Sequence, residues 1–414
     1  MTAVEYLEQE QKQQFDAGIV PPREEQERFW LARMEEAMAV GNNHLFERCE
    51  KVLRCPSKYQ LLLDYFYLLE IFDNLVKGIE AGVLDFLIGS KLKRFERKEM
   101  PIFGTLHMQR FSAYITPHGN INDPVIILSD GLLAFSEKIS NVIAISFPFE
   151  KTDNGKIMIS SDIEKIKAHI KENKNGLAHF IDILTAEMLF GTSILVEPLN
   201  GPLLSGEQQG VMAMVLRDAF QSFIVAHEYS HYIDGHLGMP YLDHDDMAER
   251  DLSKWGEMIK RNGGIRENYR KELFADCFGL IIAINSMTHA GYPRALSFAR
   301  IYLCLNSIEL VEKIINLRYR RKENHYQNIT HPPPMERKKV VLSMIEEDNE
   351  TETLNQKYFD AIDYIFESYW DEFREFVNNV YTLVENDPKI DSESSEYKEL
   401  RIKIYETYGK RERN

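Results

Sequence analysis

Along most of this 414-residue chain, apolar residues recur at three- and four-residue steps, the spacing that gathers them on one face of a helix. Residues 24–100 are charged and aromatic with this period. Within them, "YQLLLDYFYLLEIFDNLVKGIEAGVLDFLIGSKL" is apolar enough to predict a helix buried on more than one side. Its aromatics read as core packing rather than a ligand cage. Near residue 105 the period shortens. "RFSAYITPHGNINDPVIILSDGLLAF" predicts short strands broken by Pro117, Gly119, Asn120 and Pro124, and "AISFPFEKTDNGKIMISS" predicts a hairpin turning at Asn154-Gly155. Helical spacing returns over 162–190. After a loop at 201–210, a helix is predicted with its body at 211–234, where Val211, Val215, Phe220, Phe223 and Ile224 form the apolar side and Gly235 makes the stop. Further helices are predicted at about 270–288, at 293–317 and from about 354 onward, the last interrupted at "ENDPKIDSESSE". There is no internal repeat.

The pattern predicts an α+β chain that is predominantly helical, with a small sheet. It divides into an N-terminal helical region (1–104), a central domain (105–345) carrying an insertion at about 136–205, and a C-terminal helical region (346–414). A chain of this length buries enough surface to fold without disulfides or a structural metal. Cys49, Cys55, Cys277 and Cys304 lack paired metal-ligand spacing, which points to a reducing compartment and to cysteines used as small buried hydrophobes. With no signal-peptide pattern at the start and no apolar run of membrane-spanning length, a cytoplasmic protein without a membrane span is expected. The net charge of -16 disfavours nucleic acid and anionic lipid as partners. The basic run "RYRRK" at 318–322 reads as a solvated helix end.

Chemistry concentrates in "AHEYSHYIDGH", residues 226–236. Four residues apart on a helix, His227 and His231 share a face and can turn both imidazoles toward one ion. Glu228 is rotated about 100° from His227, out of the ligand set but within reach of a water at that ion. Two histidines need a third protein ligand, with one position left open. "RKELFADCFG" (270–279) offers Glu272 and Asp276, again four apart, so that one carboxylate can bind zinc while the other accepts the free N–H of a ligating histidine. Glu272 is the expected ligand and Asp276 the expected support, with Glu267 and Asp276 as rival ligands. Ala275 is small enough to let the two helices approach.

"HEYSHYIDGH" followed by "ELFAD" resembles the gluzincin metallopeptidases, especially the HtpX and CAAX-prenyl-protease group, whose signature runs HExxHxxxGH and then ExxAD. "THPPPMER" (330–337) is similar to a THPP-x-x-x-R segment of that group. "PVIILSDGLL" resembles the strand and turn ahead of its zinc helix, where the strand borders the substrate cleft. The islands cover about 105–345, without the transmembrane helices of the membrane members. The HExxH motif alone also resembles the phage-exclusion peptidase Lit and the zinc peptidases that cleave phage repressors. The resemblance implies a zincin-like core with zinc (Zn2+) as cofactor. It draws His236, His331 and Arg337 into the site. His236 either supports the centre or caps carbonyls beside Gly235, with His244 as a rival. His331 either donates to an oxyanion or ends a loop, and Arg337 either assists it or pairs with an acid at a helix start.

The expected activity is hydrolysis of peptide bonds in an intracellular protein. With zinc on His227, His231 and Glu272 to polarise water and carbonyl, Glu228 would take the water proton and pass it to the leaving amine. The flanking helical regions are expected to restrict access, which leaves room for an activating protein partner in a stress or phage-defence response. The alternatives are a catalytically silent zinc sensor or interaction protein, in which Glu228 would be needless, and a hydrolase of non-peptide amides or esters.

Overall fold

The computed structural model describes residues 3–39 (save 19 and 21), 46, 49–50, 52–54, 102–118 (save 109–110), 120–151, 157–233 (save 195, 200–202 and 205), 267–289, 292, 294–318, 331–346, 352–386 and 391–409 (save 393). It is mostly helical, with a small three-stranded sheet and a short hairpin. The dense aromatic segment at 59–92, the stop at Gly235 with His236, and His244 lie outside the described residues. Among the described helices none is long and apolar enough to cross a membrane.

The chain packs as two compact units. The first contains Met1–Leu133 and Gln221–Ala290, the second Ala134–Phe220 and Gly291–Asn414. This grouping differs from boundaries drawn at 104 and 345. The segment expected as an insertion, 136–205, belongs with the C-terminal helices, because its apolar faces are buried there.

In the first unit, α1 (Ala3–Asp16) and α2 (Arg23–Ala39) precede β1 (Ile102–Leu106), β2 (Ala113–His118) and β3 (Asn120–Ser129). The sheet order is β1-β3-β2, with β1 parallel and β2 antiparallel to β3. Val125, Ile126, Ile127 and Leu128 of β3 are all completely buried, as a continuous apolar run in a central strand must be. This corrects the expectation that "PVIILS" borders a cleft. Its main chain is paired on both sides, leaving no edge to hold a peptide. The outer edges belong to β1 and β2, and α1 reaches β1. Gln11 donates to the Thr105 carbonyl at 3.1 Å, while Gln14 donates to the His107 carbonyl at 3.1 Å and accepts from its N–H at 2.9 Å. Tyr6 and Leu7 of α1 pack on Leu106, Val125 and Ile127, and the Leu7 side chain fills the space a Cβ on Gly104 would take.

Asp130-Gly131 opens a helix, α3 (Asp130–Ser146). Ser129 at the end of β3 caps it, its hydroxyl accepting from Leu132 N–H at 3.1 Å, so strand passes to helix without a loop.

The second unit holds the antiparallel pair β4 (Phe149–Lys151) and β5 (Ile157–Ile159); the turn expected at Asn154-Gly155 lies outside the described residues. Then follow α4 (Ile163–Glu172), capped by Asp162, and α5 (Lys174–Phe190), which is separated from it by Asn173. Buried all round from Ala178 to Ala186, α5 is packed by α8 (Arg294–Arg318), α10 (Glu352–Asn386) and α11 (Ser395–Tyr408). Its buried Asp182 accepts both Nε and Nη2 of Arg401 on α11. Cys277 and Cys304 are free and buried, as is Cys49.

Burial raises the carboxyl of Glu187 on α5 to about 7, despite the Ser193 hydroxyl and the nearby Arg318. Because its folded value lies above the ordinary 4.5, the fold prefers the neutral acid. The associated stability is complete below pH 4.5 and is lost as pH rises through about 7. Glu187→Gln should therefore unfold like the wild type near pH 4.5 and be more stable by about 3 kcal/mol at pH 8, as read from denaturant midpoints across that range. A constant difference at all pH values would show that Glu187 is not the titrating group.

Candidate metal centre

The centre is built on two helices of the first unit. The long helix α6 (Glu207–Ile233) crosses from the second unit into the first at Phe220, and its last three turns carry the histidines. Beyond Ala219 nearly every position of it is buried, so His227 and Glu228 are held among apolar neighbours rather than on a wet face. Its N-terminal half is amphipathic, and Val211, expected on the apolar side, is exposed there. Phe223 lies one turn before His227 with ring centroids 6.4 Å apart, and Tyr229 and Tyr232 are buried packing residues. The second helix, α7 (Glu267–His289), carries Glu272 and Asp276.

Between these helices the side chains converge. His227 Nε2 and His231 Nε2 are 3.2 Å apart with their rings nearly perpendicular. The Glu272 carboxylate straddles both, with Oε2 3.5 Å from His227 Nε2 and Oε1 3.5 Å from His231 Nε2. Four ligands around zinc at bond lengths near 2.0–2.1 Å would stand about 3.4 Å from one another. The two histidine nitrogens stand close to that spacing, and a different oxygen of Glu272 approaches each of them, so one ligand atom from each residue lies within 4.8 Å of the others. Among the described residues these three side chains form a group that can hold a metal ion. Two imidazole nitrogens with one carboxylate suit a first-row transition ion better than calcium or magnesium, which take oxygen donors.

Asp276, completely buried, places Oδ1 3.0 Å from His227 Nδ1. The contact is close enough for an ion pair but off the line of an Nδ1–H hydrogen bond; a small turn of the ring toward that carboxylate would make the bond and leave Nε2 as the lone-pair nitrogen a metal ligand needs. Glu228 is buried beside His227 on the next position of α6. His331 is exposed just ahead of α9 (Pro334–Glu346), and Arg337 is buried in the first turn of that helix. Both belong to the second unit, apart from the one that holds the His–His–Glu group.

Gly279, which sequence reasoning passed over, sets the helix spacing. A Cβ there would stand 2.9 Å from both the Cα and the N of His227. The signal was present in Ala275 and Gly279, small residues four apart on the α7 face that also carries Asp276. Gly279→Ala is expected to lower stability by about 1–3 kcal/mol, since overpacking against main chain outweighs the roughly 1 kcal/mol that alanine adds in a helix. Pushing α7 away should also weaken metal binding. Gly210→Ala in α6, where a Cβ meets nothing within 4 Å, should instead raise stability. Thermal unfolding of the two variants checks the opposite signs.

Comparison with known proteins found no matching family model, no matching curated protein and no matching solved structure.

Proposed function

We propose that this protein is a zinc-dependent endopeptidase acting on an intracellular protein, with the gluzincin-like site its motifs resemble. The observation that carries the reading is the convergence of His227, His231 and Glu272 within 4.8 Å of one another beside a buried glutamate for which metal binding alone has no use. Zinc bound there would supply Lewis acidity toward a carbonyl oxygen and toward water. The remaining chemistry falls to side chains. The Glu228 carboxylate accepts a proton from the attacking water and delivers it to the departing amine. Asp276, 3.0 Å from His227 Nδ1, would steady the ring and favour its positive side while the bond is broken. Burial of Glu228 keeps bulk water from competing for that proton and strengthens the electrostatics around it. The peptide bond is thus hydrolysed without a covalent intermediate on the protein. The oxyanion role of His331 and the support from Arg337 and His236 rest on the sequence resemblance alone and enter no step.

The test is metal analysis of the purified full chain, followed by incubation with an unfolded protein and identification of new N-termini by mass spectrometry. About one zinc per chain with chelator-sensitive cleavage is expected. Stoichiometric zinc without cleavage of any sequence in a broad peptide library would instead support the silent sensor.

A further inference from the structure

Arg300, in the second turn of α8, is one of the largest fully buried side chains, only 1% exposed. Its Nε and Nη2 are both buried and meet no hydrogen-bond acceptor. One face of the guanidinium lies over the Tyr292 ring, with Cζ 4.5 Å from the centroid. That stacking attracts the cation without neutralising it. The carboxylate that acts on Arg300 is Asp218. It is already engaged, because Arg217 donates Nε at 3.0 Å and Nη2 at 2.7 Å to its Oδ1. Asp218 is thus shared with Arg217, and burial pushes the Arg300 guanidinium down to about 10, still protonated at neutral pH.

Nε–H and Nη2–H form the side of the guanidinium fork that matches the two oxygens of a carboxylate. The same unit shows that edge in use. Arg401 gives Nε to Oδ1 and Oδ2 of buried Asp182 at 2.9 and 3.0 Å, and Nη2 to Oδ2 at 2.7 Å. Arg300 presents the same edge, more deeply buried, with no acid among the described residues hydrogen-bonded to it. A water would satisfy the N–H groups but leave the charge uncompensated in a low-dielectric interior. A phosphate carries close to two negative charges at neutral pH and would overshoot. We infer that Arg300 anchors a buried site for a single carboxylate, held by Nε and Nη2 with Tyr292 stacked on the guanidinium. The carboxylate belongs either to a small free acid or to the end of a peptide. The site stands whether or not the metal centre cleaves peptides.

The experiment is thermal unfolding of the full chain at fixed ionic strength in chloride, acetate, phosphate, and a tripeptide with a free or amidated C-terminus. Acetate or the free-acid tripeptide is expected to raise the midpoint above that in chloride, increasing with the logarithm of its concentration. A response to acetate identifies a small acid as the source of the carboxylate, and a response confined to the free-acid tripeptide identifies a peptide end. Arg300→Lys, which keeps the charge and loses the fork, should weaken binding tenfold or more. Arg300→Met should abolish the response and, in chloride, unfold no earlier than the wild type, because a buried unpaired charge has been removed. The inference is overturned if no carboxylate exceeds chloride, if Arg300→Met responds as the wild type does, or if phosphate exceeds both carboxylates.

Discussion

Glu228→Gln is expected to retain its metal and lose about 10²–10⁴-fold in kcat, the share of catalysis that a positioned proton acceptor contributes. Glutamine has the size and hydrogen-bonding reach of glutamate, so the buried end of α6 keeps its packing. The amide cannot hold a proton at neutral pH. Glu228 stands about 100° around the helix from His227 and outside the group of three that can bind the ion, so occupancy should be unchanged. Substrate binding is also spared, and kcat and kcat/KM should fall together, the signature of an interaction made in the transition state. Metal content by mass spectrometry and steady-state cleavage of one identified peptide provide both readouts. Loss of the metal along with activity would mean that Glu228 supports the centre rather than the reaction. Undiminished cleavage would place the proton acceptor elsewhere.

Glu272→Ala should empty the centre. It removes the only anionic donor of the three, whose two oxygens stand 3.5 Å from the two histidine nitrogens, and leaves two neutral imidazoles to hold a dication. Affinity should drop by at least 10³, so that dialysis against a weak chelator takes occupancy from near one to near zero. At metal concentrations a thousand times the wild-type dissociation constant, the variant should also lose about 4 kcal/mol of metal-linked stability. Asp276→Asn serves as the comparison. Asp276 would act on an ion only through the His227 ring, and changes of that kind cost about 10–100-fold in affinity. Glu272 well ahead of Asp276 identifies ligand and support. The reverse order would exchange their roles, and two small effects would end the case for a metal centre on these helices.

Helix positions were largely legible in the sequence because helical period is a local property. The predicted body at 211–234 is found as Glu207–Ile233, and the helix expected at 270–288 as Glu267–His289. The period does not report which side of a long helix meets the core at each turn. Val211 belongs to the apolar series yet is exposed, because α6 is enclosed only toward its C-terminal half. Apolar character likewise identified "PVIILS" as a strand but not its place in the sheet. Edge or centre depends on where β1 and β2 pair, and those pairings join residues distant in sequence. Gly279 escaped notice because a glycine inside a helix has several readings until the approaching backbone is seen. The 136–205 segment looked like an insertion because it interrupts the run of motifs, whereas packing groups it with the C-terminal helices.

What the sequence determined by itself is the relation among His227, Glu228 and His231 and, separately, that between Glu272 and Asp276. Each set lies within two turns of one helix, where 3.6 residues per turn dictates which side chains share a face. Tertiary structure alone decided that the two sets meet, with Glu272 toward both histidines and Asp276 beside His227 Nδ1. No local rule contains that outcome. It follows from how closely α6 and α7 can pack, which a missing side chain at Gly279 permits, and from the burial that turns the carboxylates toward the imidazoles.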